Sequence, residues 1–142
     1  VLEHGAWEVL GTDISSRVLR QAATGHYALP RTKLIPEAYL KRFCLKGVGA
    51  QDGTLLVERA LRQRVQFTSA NLNAPLPKIG MFDVIFLRNV MTYFNGDTRR
   101  QVVARALAQL KRGGYLFIGH SESLHDITGD VVQASPAIYR KP

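Results

Sequence analysis

Two apolar segments, each followed at once by polar residues, restrict the fold of this chain more than any other feature. The sequence FDVIFL at 82–87 is followed by Arg88 and Asn89, and YLFIG at 115–119 is followed by HSES. The amphipathic stretch 97–110 between them predicts a helix that ends at a Gly-Gly pair. Strand, helix and strand in this order favour a parallel pair with a right-handed crossover. In such open α/β sheets, ligands bind where the strands end.

The remaining segments extend this sheet, apart from one interval that breaks the alternation. We therefore expect one α/β domain over 1–142, with a small inserted β-subdomain at 27–64 and a closing antiparallel hairpin. Strands are predicted at 7–11, 54–58, 64–69, 131–133 and 137–140, and the last two form the hairpin. One further helix is capped by Ser15 or Ser16 and ended by Gly25, and another runs from Pro36 through Cys44, which lies on its apolar face; the stretch 26–33 between them is predicted to be irregular. The cap of the 97–110 helix is predicted at Asp97 or Thr98.

Composition narrows the class of protein without naming a function. The chain has 142 residues, 46% of them hydrophobic, and a formal net charge of +8. No apolar run approaches the ~20 residues of a membrane-spanning helix. A single cysteine excludes an internal disulfide and favours a cytoplasmic location, and no histidine has metal-ligand spacing with it. The basic excess between Arg17 and Arg64 favours an acidic partner; nucleic acid is less expected because no groove-reading motif is present.

Asp13 and Asn71 follow predicted strands and could contact a nucleotide-like ligand. An acid after the second strand of a dinucleotide-type fold commonly accepts hydrogen bonds from ribose hydroxyls. Capping the next helix explains Asp13 equally well. An amide can both donate to and accept from an adenine edge. For Asn71 the residues alone favour a turn-forming role.

Arg88 is a charged residue directly after a buried strand, so it needs either a polar cleft or an ion-pair partner. Two other patterns are discounted. The glycines of GVGAQDG at 47–53 have the wrong spacing for a phosphate loop, and no helix follows them. The HSE sequence at 120–122 is no hydrolase triad, since consecutive residues do not form one.

Four motifs closely resemble the CheR family of chemotaxis methyltransferases: TDIS at 12–15, Asn71-Leu72, RNVMTYF at 88–94 and GHSES at 119–123. These enzymes transfer a methyl group from S-adenosylmethionine to glutamate side chains of chemoreceptors, releasing S-adenosylhomocysteine. The resemblance implies a Rossmann-like methyltransferase sheet. It implies these contacts with the cofactor: Asp13 with the ribose, Asn71 and Leu72 with the adenine, Arg88 and Asn89 at the methionine end, and Tyr93 near the transferred methyl.

The resemblance also carries expectations about partners and about missing parts. The expected partner is a chemoreceptor cytoplasmic domain, and GVGAQDG resembles a loop by which some family members bind a receptor's C-terminal peptide. The family's helical N-terminal domain and Gly-rich first motif are not recognised here, so we expect an incomplete sheet that is inactive alone and prone to self-association. The alternatives are a non-catalytic docking module with the same fold, and, less favoured by these motifs, a methyltransferase for small molecules or RNA.

Overall fold

The computed structural model describes residues 5–142, and the chain divides after Ala70 into two compact units. No helix within 5–142 is long and apolar enough to cross a membrane. The strands are β1 (Val9–Asp13), β2 (His26–Ala28), β3 (Cys44–Lys46), β4 (Thr54–Val57), β5 (Val65–Ser69), β6 (Phe82–Leu87), β7 (Leu110–Ile118), β8 (Val132–Ser135) and β9 (Ile138–Arg140). The α-helices are α1 (Ser16–Thr24), α2 (Glu37–Phe43), α3 (Arg59–Arg62) and α4 (Gly96–Ala108).

The first unit contains a parallel pair, β1 and β5, with α1 between them in sequence. The register runs from Val9 opposite Val65 to Asp13 opposite Ser69. Ser15 caps α1 by accepting a hydrogen bond from the backbone N–H of Val18 at 3.3 Å. Gly25 ends the helix in the left-handed region, with φ of 63°. Both ends of α1 are where the capping preferences of serine and glycine predicted them.

The first unit also holds a three-stranded antiparallel sheet in the order β2-β4-β3. Two local predictions are wrong here. The stretch after Gly25 is not irregular, since His26–Ala28 pairs with β4 and a 3-10 helix follows at Leu29–Thr32. Cys44 is not on a helix, because α2 ends at Phe43 and Cys44 opens β3 opposite Val57. Backbone pairing with β4 outweighs the helical spacing of the apolar residues before it.

The second unit is a four-stranded sheet in the order β6-β7-β9-β8, covered by α4. β6 and β7 are parallel, and β7, β9 and β8 pair antiparallel, as the predicted closing hairpin requires. The core comprises Leu87 from β6, Leu116 and Ile118 from β7, the buried face of α4, and Leu124 and Tyr139. This mixed α/β architecture, with an antiparallel insert and a C-terminal hairpin, agrees with the expected class.

The ends of α4 differ from the prediction. Its N-cap is Asn95, whose side chain accepts a hydrogen bond from the backbone N–H of Thr98 at 2.9 Å. The Gly-Gly pair does not end the helix, because β7 begins at Leu110 and both glycines lie inside it. The register there jumps from Phe82 opposite Leu110 to Val84 opposite Tyr115, and a bulge containing Gly113, at φ of 77°, takes up the extra residues.

Within the described chain, β1 pairs only with β5 and β6 pairs only with β7. Each therefore has one edge without a strand partner, and such edges are templates for pairing with another strand. On β6, Val84 and Phe86 are exposed, although Phe86 packs against Phe117 with ring centroids 4.9 Å apart. Self-association of the isolated chain stays a prediction.

Candidate functional site

The parallel register of β6 and β7 places two polar loops side by side at one edge of the sheet. Leu87 lies opposite Ile118, and these are the last residues of their strands. Arg88 and Asn89 continue from one strand, and the GHSES loop at 119–123 continues from the other. This is the carboxyl edge at which ligands bind in open α/β sheets.

Glu122 connects these two loops. One carboxylate oxygen, Oε2, accepts hydrogen bonds from the backbone N–H groups of Gly119 at 2.6 Å and Asn89 at 3.3 Å. The other, Oε1, accepts from the backbone N–H of Met91 at 3.0 Å. Sequence reasoning missed this role, because it considered Glu122 only within the false hydrolase signal and the GHSES motif and gave it no contact of its own.

Arg99 holds the same segment from α4. Its Nε donates to the backbone oxygens of Met91 at 2.9 Å and Phe94 at 2.8 Å. Between these anchors lies a 3-10 turn, Met91–Tyr93. Met91 is buried in the core, whereas Tyr93 is 83% exposed. The turn therefore has a fixed base and presents Tyr93 outward.

Arg88 and Asn89 are both exposed. Asn89 adopts φ of 58°, a left-handed conformation in which asparagine is enriched among non-glycine residues. No residue of the described chain forms a hydrogen bond or ion pair with the Arg88 side chain, so the ion-pair alternative is not realised among them. The guanidinium presents donors suited to a carboxylate or another anion.

Asn71 and Leu72 begin the second unit. The side-chain oxygen of Asn71 accepts a hydrogen bond from the backbone N–H of Asn73 at 2.9 Å, which is the turn-forming role favoured by the residues alone. The amide NH₂ has no hydrogen-bond partner among residues 5–142. Leu72 packs against the core, and its carbonyl oxygen accepts a hydrogen bond from Arg105 Nη1 at 2.7 Å.

Asp13 ends β1 in the first unit and is half-buried. Its Oδ1 accepts a hydrogen bond from the backbone N–H of Ser15 at 2.7 Å. Asp13 is therefore not the helix cap, since Ser15 has that role. Oδ2 accepts no hydrogen bond from the part of the chain that the structure describes. The second unit brings Arg88, Asn89 and Tyr93 together on one loop, while Asp13 is positioned by β1.

A concave surface of about 430 Å³ lies on the antiparallel sheet of the first unit. Leu45, Lys46, Val48 and Leu56 contribute to its lining. Gly47 is packed so closely on the backbone oxygen of Gln51 that no side chain fits there. The surface is predominantly apolar, carries one lysine, and lies along the edge strand β3.

No group of three or more metal-ligating side chains occurs within the described range. Cys44 is half-buried, and burial raises the pKa of its thiol, with the nearby Glu58 carboxylate adding to the effect. Such a thiol is less reactive than an exposed one.

A family model described as "CheR methyltransferase, SAM binding domain" matches residues 2–138. The chain belongs to this family. The match confirms the resemblance seen in the motifs, and with it the α/β methyltransferase class and S-adenosylmethionine as the cofactor of the domain.

Curated relatives agree with the family match. The chain is 35% identical over 140 residues to the "Chemotaxis protein methyltransferase" of Salmonella typhimurium, covering 95% of this chain and 47% of that protein. It is 38% identical over 136 residues to "Chemotaxis protein methyltransferase 1" of Pseudomonas aeruginosa, covering 92% of this chain and 48% of that protein. The chain thus spans about half the length of the curated relatives it matches.

Among solved structures, an O-methyltransferase family protein from Burkholderia thailandensis overlaps 42% of this chain and 18% of its own, with 32% identity. Its TM-score of 0.37 is too low to bear on the fold.

Proposed function

We propose that the full-length protein containing this chain methylates glutamate side chains on the cytoplasmic domains of chemoreceptors, with S-adenosylmethionine as methyl donor and S-adenosylhomocysteine as product. The observation that carries the proposal is the family match over residues 2–138. Several curated relatives are named as chemotaxis methyltransferases. Such a protein acts in the cytoplasm, where its receptor substrate is exposed.

The proposed cofactor contacts use polar groups that have no partner within the described residues. The Oδ2 oxygen of Asp13 would accept hydrogen bonds from the ribose hydroxyls. The side-chain NH₂ of Asn71 would donate to the adenine, with Leu72 packing beside it. Each residue already uses its other polar atom in a local hydrogen bond, which fixes its orientation.

The methionine end is assigned to Arg88 and Asn89. The Arg88 guanidinium has no partner among residues 5–142 and suits the methionine carboxylate, because arginine and carboxylate form charge-assisted hydrogen bonds. We propose that Tyr93 lies near the transferred methyl. Tyr93 is exposed on a turn that Glu122 and Arg99 hold through backbone hydrogen bonds, and this exposure suits a side chain that must contact a protein substrate.

The reaction needs little acid–base assistance from this chain. A glutamate side chain, with an ordinary pKa of ~4.3, is already an anion at neutral pH. The bound cofactor supplies an electrophilic methyl group on its sulfonium. The task of Tyr93 and its loop is to orient the nucleophile at about 3–3.5 Å and exclude water. Tyr93 is thus an orienting hydrogen-bond donor or a wall, not a base.

We further propose that the insert at 27–64 docks the C-terminal peptide of a receptor. β3 is an edge strand beside the apolar concave surface, so a peptide could add to the sheet there through backbone hydrogen bonds. Lys46 in the lining, and the basic excess of the segment, favour a free carboxylate.

The docking proposal is tested by titrating receptor tail peptides against Gly49→Val in the full-length protein. Gly49 has φ of 58°, so valine distorts the turn, while the space around its Cβ is open. We expect loss of peptide binding with unchanged cofactor binding. Wild-type protein that binds none of the host's receptor tails would leave the insert as scaffold.

The cofactor and activity assignments are tested together with full-length wild type, Asp13→Ala and the exposed control Glu8→Ala. Calorimetry should show S-adenosylmethionine binding weakened by about 1–3 kcal/mol in Asp13→Ala alone, the usual cost of removing a hydrogen-bond partner. Unchanged affinity would contradict the ribose role of Asp13. Transfer of labelled methyl to a receptor cytoplasmic fragment tests the activity. Wild type that binds cofactor without transferring methyl would favour the docking-module alternative.

A further inference from the structure

Three backbone N–H groups from two loops converge on the single carboxylate of Glu122. Both oxygens are used, Oε2 by Gly119 and Asn89 and Oε1 by Met91. The bond from Gly119, at 2.6 Å, is the shortest of the three.

We propose that Glu122 is a positioning residue of the methyl-transfer site. Its carboxylate holds the segment 88–94, which carries Arg88, Asn89 and Tyr93, in the conformation that cofactor binding requires. This inference rests on the function proposed above, because it assigns Glu122 a role toward that site.

The hydrogen bonds of Glu122 act beyond the end of strand pairing. β6 and β7 are already joined up to Leu87 and Ile118, both of which are buried in the core. The sheet therefore does not depend on Glu122 for its register. Asn89 and Met91 come after the last paired residue, so Glu122 determines the shape of the loop.

Arg99 restrains the other side of the same segment. It binds the carbonyl oxygens of Met91 and Phe94, while Glu122 binds the N–H groups of Asn89 and Met91. Met91 is thus held at both its N–H and its C=O. The left-handed conformation of Asn89, which is rarely adopted by non-glycine residues, is fixed by this pair of anchors.

Only a carboxylate satisfies all three donors. A glutamine at 122 has nearly the same size but only one acceptor oxygen, and its NH₂ group would face a backbone N–H. Glu122→Gln therefore leaves at least one of the three backbone N–H groups without an acceptor, while the side-chain volume is preserved. The matched control is Asp126→Asn, because Asp126 is exposed, lies four residues further on, and undergoes the same change of charge.

The experiment compares full-length wild type, Glu122→Gln and Asp126→Asn by calorimetry with S-adenosylmethionine. We expect Kd to rise about tenfold in Glu122→Gln, equivalent to about 1.4 kcal/mol, with unchanged stoichiometry. Asp126→Asn should match wild type. Amide resonances of Asn89, Met91 and Gly119 should move in Glu122→Gln and stay in place in the control.

The stoichiometry separates positioning from stability. A merely destabilised protein would show fewer binding sites at an unchanged Kd, and that result, or a Kd equal to wild type, would overturn the inference. If wild type itself fails to bind S-adenosylmethionine, the proposed function fails and this inference fails with it; if wild type binds, the Kd of Glu122→Gln decides the inference by itself. Should Glu122→Gln not fold, amide exchange in wild type decides: slow exchange at Asn89 and Met91 supports the inference, and exchange as fast as in an open loop overturns it.

Discussion

Gly119→Ala is a steric test of the loop contacts at the end of β7. A Cβ atom at this position would lie 2.5 Å from Asn89 Oδ1 and 2.7 Å from Glu122 Oε2. Both distances are far shorter than ordinary contacts between carbon and oxygen. The two oxygens are at the ends of side chains, so they would move away, and the Glu122 carboxylate would lose its hydrogen bonds in doing so.

The sign of the effect distinguishes this mechanism from an ordinary glycine replacement. Gly119 lies outside the left-handed region. Without a clash, alanine would therefore stabilise the protein by about 0.4–1 kcal/mol, because it lowers the conformational entropy of the unfolded chain. Hydrogen bonds to a charged group contribute about 1.5–3 kcal/mol each. Glu122 is half-buried, and water replaces part of what is lost. We therefore expect a net decrease of about 1–3 kcal/mol in the free energy of unfolding.

A double-mutant cycle supplies the assay. Denaturant unfolding is measured for wild type, Gly119→Ala, Glu122→Ala and the double variant of the full-length protein. If alanine acts by displacing Glu122, it costs little once Glu122 is absent, and the coupling energy approaches the cost of the single change. Stabilisation by Gly119→Ala, or additive effects of the two changes, would refute the reasoning.

Two further predictions concern other parts of the chain. Gly114→Ala should lower the free energy of unfolding by about 1–3 kcal/mol in denaturant unfolding, because overpacking is costly. The new methyl would lie 2.8 Å from the backbone oxygen of Asp83 and 2.9 Å from that of Lys111. Stability equal to wild type would show that the bulge is not tightly packed. Cys44 should be alkylated by iodoacetamide at about pH 8 more slowly than an exposed thiol. Burial, and to a smaller extent the negative charge of Glu58, raise the pKa of the Cys44 thiol and so reduce the fraction present as thiolate. Glu58→Gln should speed the reaction, and an unchanged rate would contradict the contribution of Glu58.

Local chemistry was sufficient to predict a helix end where a few adjacent residues determine it. Ser15 and Gly25 delimit α1 as predicted, since an N-cap hydroxyl and a left-handed glycine act within one helical turn. The start of α4 was wrong by two or three residues, because Asn95, Asp97 and Thr98 are all competent caps and their side chains compete within one turn.

The predicted secondary structure was wrong where pairing with strands distant in sequence determines whether a residue is in a helix or a strand. Cys44 has helical spacing with Leu40, yet hydrogen bonds to β4 draw it into β3. The Gly-Gly pair has the composition of a helix terminator, but Gly113 and Gly114 form a bulge that matches β7 to β6. Neither outcome can be read locally, because the partner residues are far away in sequence.

The sequence by itself determined the family, the alternation of strands and helices, and the polar residues at the strand ends, since these depend on motif and hydrophobic pattern. Arg88, Asn89 and Tyr93 were proposed as site residues in this way, and their roles stay predictions. Only the tertiary structure revealed Glu122 and Arg99, whose partners are backbone groups on a loop ordered by the register of β6 and β7. A backbone N–H or C=O group can form a hydrogen bond whatever the side chain of its residue, so sequence motifs alone do not reveal such a bond.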